Sequence, residues 1–183
     1  MATVRLTTPL SEEDVLKLRA GDKVLITGEV YTARDAAHKR LIEMMERGEP
    51  LPFEPKGAVI YYVGPAPAKP GWAVGPCGPT TSYRMDPYTE AMLKAGVKAV
   101  VGKGNRSQEV RDALVRHKAV YLAATGGAAA LIAKSVKEGE IVAFEDLGTE
   151  AVRRFRVEEF PATVVNDTAG ADLYEEGRAE YRV

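Results

Sequence analysis

The chain has 183 residues, with 25 lysines and arginines against 26 aspartates and glutamates, a formal net charge of -1 and 45% hydrophobic residues. This near-neutral balance argues against a nucleic-acid or membrane-surface protein, which needs excess cations. No run approaches the ~20 apolar residues of a spanning helix, and the opening Met1–Leu10 lacks the apolar core of an export signal, so a cytoplasmic location is expected. One cysteine, Cys77, rules out an internal disulfide, and the histidines number only two, His38 and His117. Together they also fall short of the three or four such ligands that a structural zinc or an iron–sulfur cluster takes.

In chain order, Thr3–Leu6 alternates like a short strand, and Ser11 with Asp14 three residues on predicts a capped helix that stops at Ala20-Gly21-Asp22. Lys23–Val30 reads as a buried strand. Thr32, with Asp35 three residues later, predicts a second capping box. The helix that follows carries Ala37, Leu41, Met44 and Met45 on its apolar face and ends at Gly48. Gly57–Val63 is a continuous apolar run, hence a central strand. Asp86-Pro87 starts a helix, because proline at the first helical position gives up an amide that has no partner there. Val97–Val101 is a strand, Ser107 caps a helix bearing Val110 and Leu114, and Ala119–Ala123 is a strand. Gly126-Gly127 opens a helix over Ala128–Val136, Ile141–Phe144 is a strand, and Thr163–Val165 is a late strand closed by a turn at Asn166-Asp167. Strands alternating with helices give an α/β class, with a mostly parallel or mixed sheet. No repeat or low-complexity tract divides the chain, which reads as one domain over residues 1–183.

Residues 64–86 stand out as a connection longer than compact domains usually contain. Its prolines stiffen it, Trp72, Val74 and Tyr83 offer anchors, and Thr80, Thr81, Ser82 and Arg84 lie at its end. Ligands of open α/β sheets bind beyond the carboxyl ends of the strands. Three polar segments follow predicted strands: Tyr31–Asp35, the long connection, and Gly102–Ser107. Arg34, Arg84, Lys103 and Arg106 are therefore expected to converge on one rim, where arginine forks suit the carboxylates of a dicarboxylic acid. Gly102–Ser107 lacks the spacing of a nucleotide-binding phosphate loop, although an anion nest stays open there, as it does at Gly126-Gly127. His38 reads as an exposed or half-packed helix residue. Cys77 reads as a loop residue without a base to activate it.

Gly21–Arg40, Tyr62–Pro67, Gly78–Asp86 and Gly102–Gly104, with Glu145–Gly148 and Val157–Pro161 further on, together resemble the β subunit of two-subunit class I fumarases. The same resemblance extends to L-tartrate dehydratase β subunits and to the C-terminal domain of single-chain class I fumarases. Departures are Cys77, where a small residue such as alanine is expected, and Asn166–Gly170, where a serine and a lysine are more usual. The resemblance implies a swivelling β/β/α domain and a hydro-lyase that interconverts fumarate and L-malate or dehydrates tartrate, active only with an α subunit. A [4Fe-4S] cluster in that partner would act as a Lewis acid on the departing hydroxyl. It further implies Thr80 as the base that removes the proton beside the distal carboxylate, and Arg34, Arg84 and Lys103 as the cations that grip that carboxylate. Thr81 and Ser82 stay open as the base. A non-catalytic carboxylate-binding module is the alternative from a different class.

Overall fold

A computed structural model describes residues 2–182. Seven strands and six helices alternate: β1 (Thr3–Thr7), α1 (Glu12–Leu16), β2 (Lys23–Thr32), α2 (Asp35–Glu46), β3 (Val59–Tyr61), α3 (Asp86–Ala95), β4 (Ala99–Gly102), α4 (Gln108–Arg116), β5 (Val120–Ala123), α5 (Ala129–Ala133), β6 (Val136–Ala143), β7 (Val152–Asn166) and α6 (Leu173–Glu180). Two 3-10 turns, Ser82–Met85 and Glu145–Glu150, precede α3 and β7.

The sheet runs β1-β2-β3-β4-β5-β7-β6, and β2 pairs a second time, with β7. That extra pairing closes β2, β3, β4, β5 and β7 into a small ring. β1 through β5 are mutually parallel where they pair, and β7 lies antiparallel to β2, β5 and β6. The sheet is mixed and the class α/β, as the alternation predicts.

Strand alternation sorts the core into two layers. Val59, Tyr61, Ala99, Val101, Val120 and Leu122 pack with Val157, Phe160 and Val164 of β7 in one cluster. The intervening Ile60, Tyr62, Val100 and Tyr121 pack against Leu41 of α2, Met92 and Leu93 of α3, and Leu114 of α4 in the other. β3, β4 and β5 are therefore apolar on both faces, which explains their continuous hydrophobic runs.

Local signals place most element ends. Ser11 and Asp14 make the reciprocal capping box at α1, and Ser107 caps α4 through the Val110 N–H. The second predicted box does not form. Thr32 is the last residue of β2, its hydroxyl accepting the Arg153 N–H at 3.0 Å, and α2 starts at an Arg34 cap that lacks any side-chain bond. Ring closure takes Thr32 for β7, and the carboxylate of Asp35 goes elsewhere. The helix predicted over Ala128–Val136 is short, since Val136 already belongs to β6. The late strand predicted at Thr163–Val165 is the end of a 15-residue strand.

Candidate active-site rim

The register of the parallel strands sets the site. Thr32 lies opposite Tyr61, Tyr61 opposite Val101, and Gly102 opposite Ala123. The four strands therefore finish at one level, and the segments that follow them share one rim. Arg34 follows β2, Thr80 and Arg84 end the connection after β3, and Lys103 follows β4.

Specific bonds tie these segments to one another. Thr80 donates its backbone N–H to Tyr62 O at 2.7 Å, and Ser82 donates to Lys103 O at 2.9 Å, beside a β-bridge between Thr81 and Lys103. Arg84 forks onto Asp35, with Nε 3.1 Å from Oδ1 and Nη2 2.9 Å from Oδ2. Arg34 lies over Gly64, where a Cβ would sit 2.6 Å from its Nη1. Its Nη2 is 3.3 Å from Glu150 Oε1, while the other oxygen of Glu150 accepts the Ala36 N–H at 3.1 Å. Among the described residues Lys103 forms no ion pair, and its side chain is exposed. The rim thus holds two paired cations, one unpaired cation and the half-buried Thr80.

Ser82 is set apart from Thr80. It is fully buried, its Oγ lies 3.0 Å from the Tyr121 hydroxyl, and that hydroxyl donates to Gly104 O at 2.8 Å. The Ser82 hydroxyl is therefore turned into the core. Gly102 permits this: a Cβ there would lie 1.9 Å from Ser82 Oγ.

Several sequence expectations change. Arg106 does not reach the rim. Its side chain is entirely buried, with Nε 2.7 Å from Asp86 Oδ1, Nη2 2.6 Å from Thr89 Oγ1, and the guanidinium over the Tyr62 and Tyr121 rings at 5.5 and 5.0 Å. It is an internal strut between β4 and α3. His38 is buried rather than exposed. Its Nδ1 donates to Arg34 O at 2.9 Å, its ring stacks on Tyr88 and meets Tyr62 edge-on, and burial pushes its pKa down to about 4. Of the three anchors expected in the long connection only Val74 is buried; Trp72 and Tyr83 are 57% and 63% exposed. Cys77 is a core residue, and burial pushes its thiol up to about 12, which leaves it almost wholly protonated near neutrality. Asp35 and Glu150, the carboxylates that hold the arginines, escaped the sequence reading. Asp35 sits next to Arg34 but looks like a cap residue, and Glu150 carries no local signal.

This chain's donors do not fit an iron–sulfur cluster. The lone thiol is buried and protonated, and no group of three or more His, Cys, Asp or Glu side chains among the described residues is placed to hold a metal ion. Among those residues no helix is long and apolar enough to cross a membrane.

Residues 1–177 match the family described as "Fumarase C-terminus". The chain is 46% identical over 156 residues to "Fumarate hydratase 2" of Leishmania major, covering 84% of this chain and 28% of that protein. It is 40% identical over 177 residues to "Fumarate hydratase class I, aerobic" of Salmonella typhimurium, covering 94% of this chain and 30% of the other. With the "Putative L(+)-tartrate dehydratase subunit beta" of Methanocaldococcus jannaschii it shares 43% identity over 173 residues, covering 91% of this chain and 89% of that one. The chain therefore belongs to the fumarase C-terminus family. It spans less than a third of these two fumarate hydratases and most of the tartrate dehydratase subunit.

Proposed function

We propose that this chain is the substrate-gripping β subunit of a two-subunit hydro-lyase, which adds water to fumarate to give L-malate and runs in reverse. The observation that supports this best is the gathering of Thr80, Arg34, Arg84 and Lys103 on one rim by strand register and backbone bonds. In the dehydration direction Thr80 takes a proton from the carbon beside the distal carboxylate. The electron pair left behind spreads onto that carboxylate and then returns to form the C=C bond as the C–O bond of the neighbouring carbon breaks, the departing hydroxide taking up a proton to leave as water. Arg34, Arg84 and Lys103 face the charge where it develops, and fixed cations stabilise it there more than in the ground state. Lys103, the bridge partner of Thr81 and so close in the backbone to Thr80, also favours the Thr80 alkoxide. Ser82 is unsuited to the task because its hydroxyl is committed inward.

The partner is an α subunit, which we propose also carries the [4Fe-4S] cluster that this chain's donors cannot hold. A second reading, an L-tartrate dehydratase β subunit, draws on the archaeal relative, of which this chain covers 89%. The same proton abstraction serves both substrates.

Anaerobic reconstitution of the pair tests the proposal: it hydrates fumarate, the isolated chain does not, and tartrate assayed alongside decides the second reading. Thr80→Val abolishes turnover while the pair still assembles, whereas Ser82→Ala retains it. A pair loaded with cluster but inactive on both substrates would refute the subunit assignment, and near-native turnover by Thr80→Val would place the base elsewhere.

A further inference from the structure

Arginine offers two planar forks, one formed by Nε and Nη2 and one by Nη1 and Nη2, and each matches a carboxylate in bidentate fashion. In this chain the first fork of Arg84 is filled by Asp35, with both oxygens engaged at 3.1 and 2.9 Å. The two residues come from different elements, Asp35 from the first position of α2 and Arg84 from the 3-10 turn before α3. Their pairing fixes the guanidinium plane relative to Arg34, whose backbone adjoins Asp35. Glu150 does less for Arg34, reaching Nη2 at a single point 3.3 Å away.

Resting on the functional reading above, the geometry points to Asp35 as a positioning residue that acts through Arg84. It occupies the Nε/Nη2 fork so that a substrate carboxylate meets only the Nη1/Nη2 edge. Without Asp35 the guanidinium turns freely, and a carboxylate is taken by either fork, in orientations that do not bring the neighbouring C–H to Thr80. Misplacement on the ångström scale is enough to lose on the order of a hundredfold in rate.

A double-mutant cycle on the assembled two-subunit enzyme, assayed with fumarate, tests this. Arg84→Ala lowers kcat/KM by about 100-fold or more, the cost of losing charge-assisted bonds in the transition state. Asp35→Asn keeps the side-chain shape and lowers kcat/KM by about 10- to 100-fold, with a rise in KM that a mere loss of folded enzyme does not produce. Combining the two costs no more than Arg84→Ala alone, because Asp35 then has nothing to orient. Two results overturn the inference: an Asp35→Asn enzyme with unchanged kcat and KM, or an Asp35→Asn loss that persists at full size in the Arg84→Ala background. If Arg84→Ala itself leaves kcat/KM unchanged, the functional reading of the rim is what fails.

Discussion

Removing the guanidinium of Arg106 is the sharpest test of how the rim is supported. The side chain is 0% exposed and its partner Asp86 only 14%, so the pair sits in a medium that scarcely screens it. Arg106→Met takes away a charge-assisted bond to Asp86 at 2.7 Å and another to Thr89 at 2.6 Å, together with two aromatic faces. Asp86 is left with the Ser107 N–H at 2.8 Å as its remaining donor. Breaking a buried pair from one side costs about 3–5 kcal/mol, mostly as the penalty on the charge left behind. For a chain of this length that lowers Tm by about 6–20 °C. Calorimetry at neutral pH reads it, and adding Asp86→Asn should recover part of the loss, since the stranded carboxylate is then neutral. A loss below about 1 kcal/mol, the range of exposed ion pairs, would refute the argument that Arg106 is an internal strut.

Two further outcomes follow from buried groups near the rim. His38 has its pKa pushed from 6.5 down to about 4 by burial, so the folded chain binds fewer protons than the unfolded one between these values. Stability is complete above pH 6.5 and falls as the pH drops toward 4, by up to about 3 kcal/mol; urea midpoints across this range should show the slope, and His38→Gln should remove that share. Gly102→Ala forces a Cβ to within 1.9 Å of Ser82 Oγ and 2.9 Å of Tyr62 Cδ2. Such overpacking costs about 1–3 kcal/mol and displaces Thr80; Ser82→Ala added to it should raise Tm again, and a double variant no more stable than Gly102→Ala would show that the strain lies elsewhere.

The sequence revealed what was locally encoded. The Ser11–Asp14 box, the Ser107 cap, the Asp86-Pro87 start and the apolar runs of β3 to β5 each depend on residues close together, and each appears in the fold. Strand alternation with helices was enough to put Arg34, Arg84 and Lys103 at one end of the sheet, whereas Thr80 was singled out only by the family resemblance. Most of β7 was hidden because its period of two is interrupted. Phe155, Val157 and Phe160 are buried, but the Glu158-Glu159 pair breaks the alternation, and the chain takes a positive φ of 50° at Glu159. The helix α6 has no buried residue to mark a face. Arg106 and His38 were misplaced for a different reason. A buried cation and a buried imidazole are defined by partners such as Asp86, Tyr62 and Tyr88, and no spacing in the sequence announces them. Thr32 shows the converse: its cap pattern was sound locally, yet a strand 120 residues downstream, with Arg153 opposite it, claimed the hydroxyl.

That distant pairing has a bearing on biosynthesis. Everything that builds the rim, from Arg34 to Lys103, leaves the ribosome before Val152–Asn166 does, yet β2 and β5 both border that late segment. Until it emerges, the nascent polypeptide carries two unzipped strand margins, the kind of surface on which chains stick to one another. This late strand is thus the one that seals the ring, and losing it should harm solubility far more than trimming β1, which borders β2 alone.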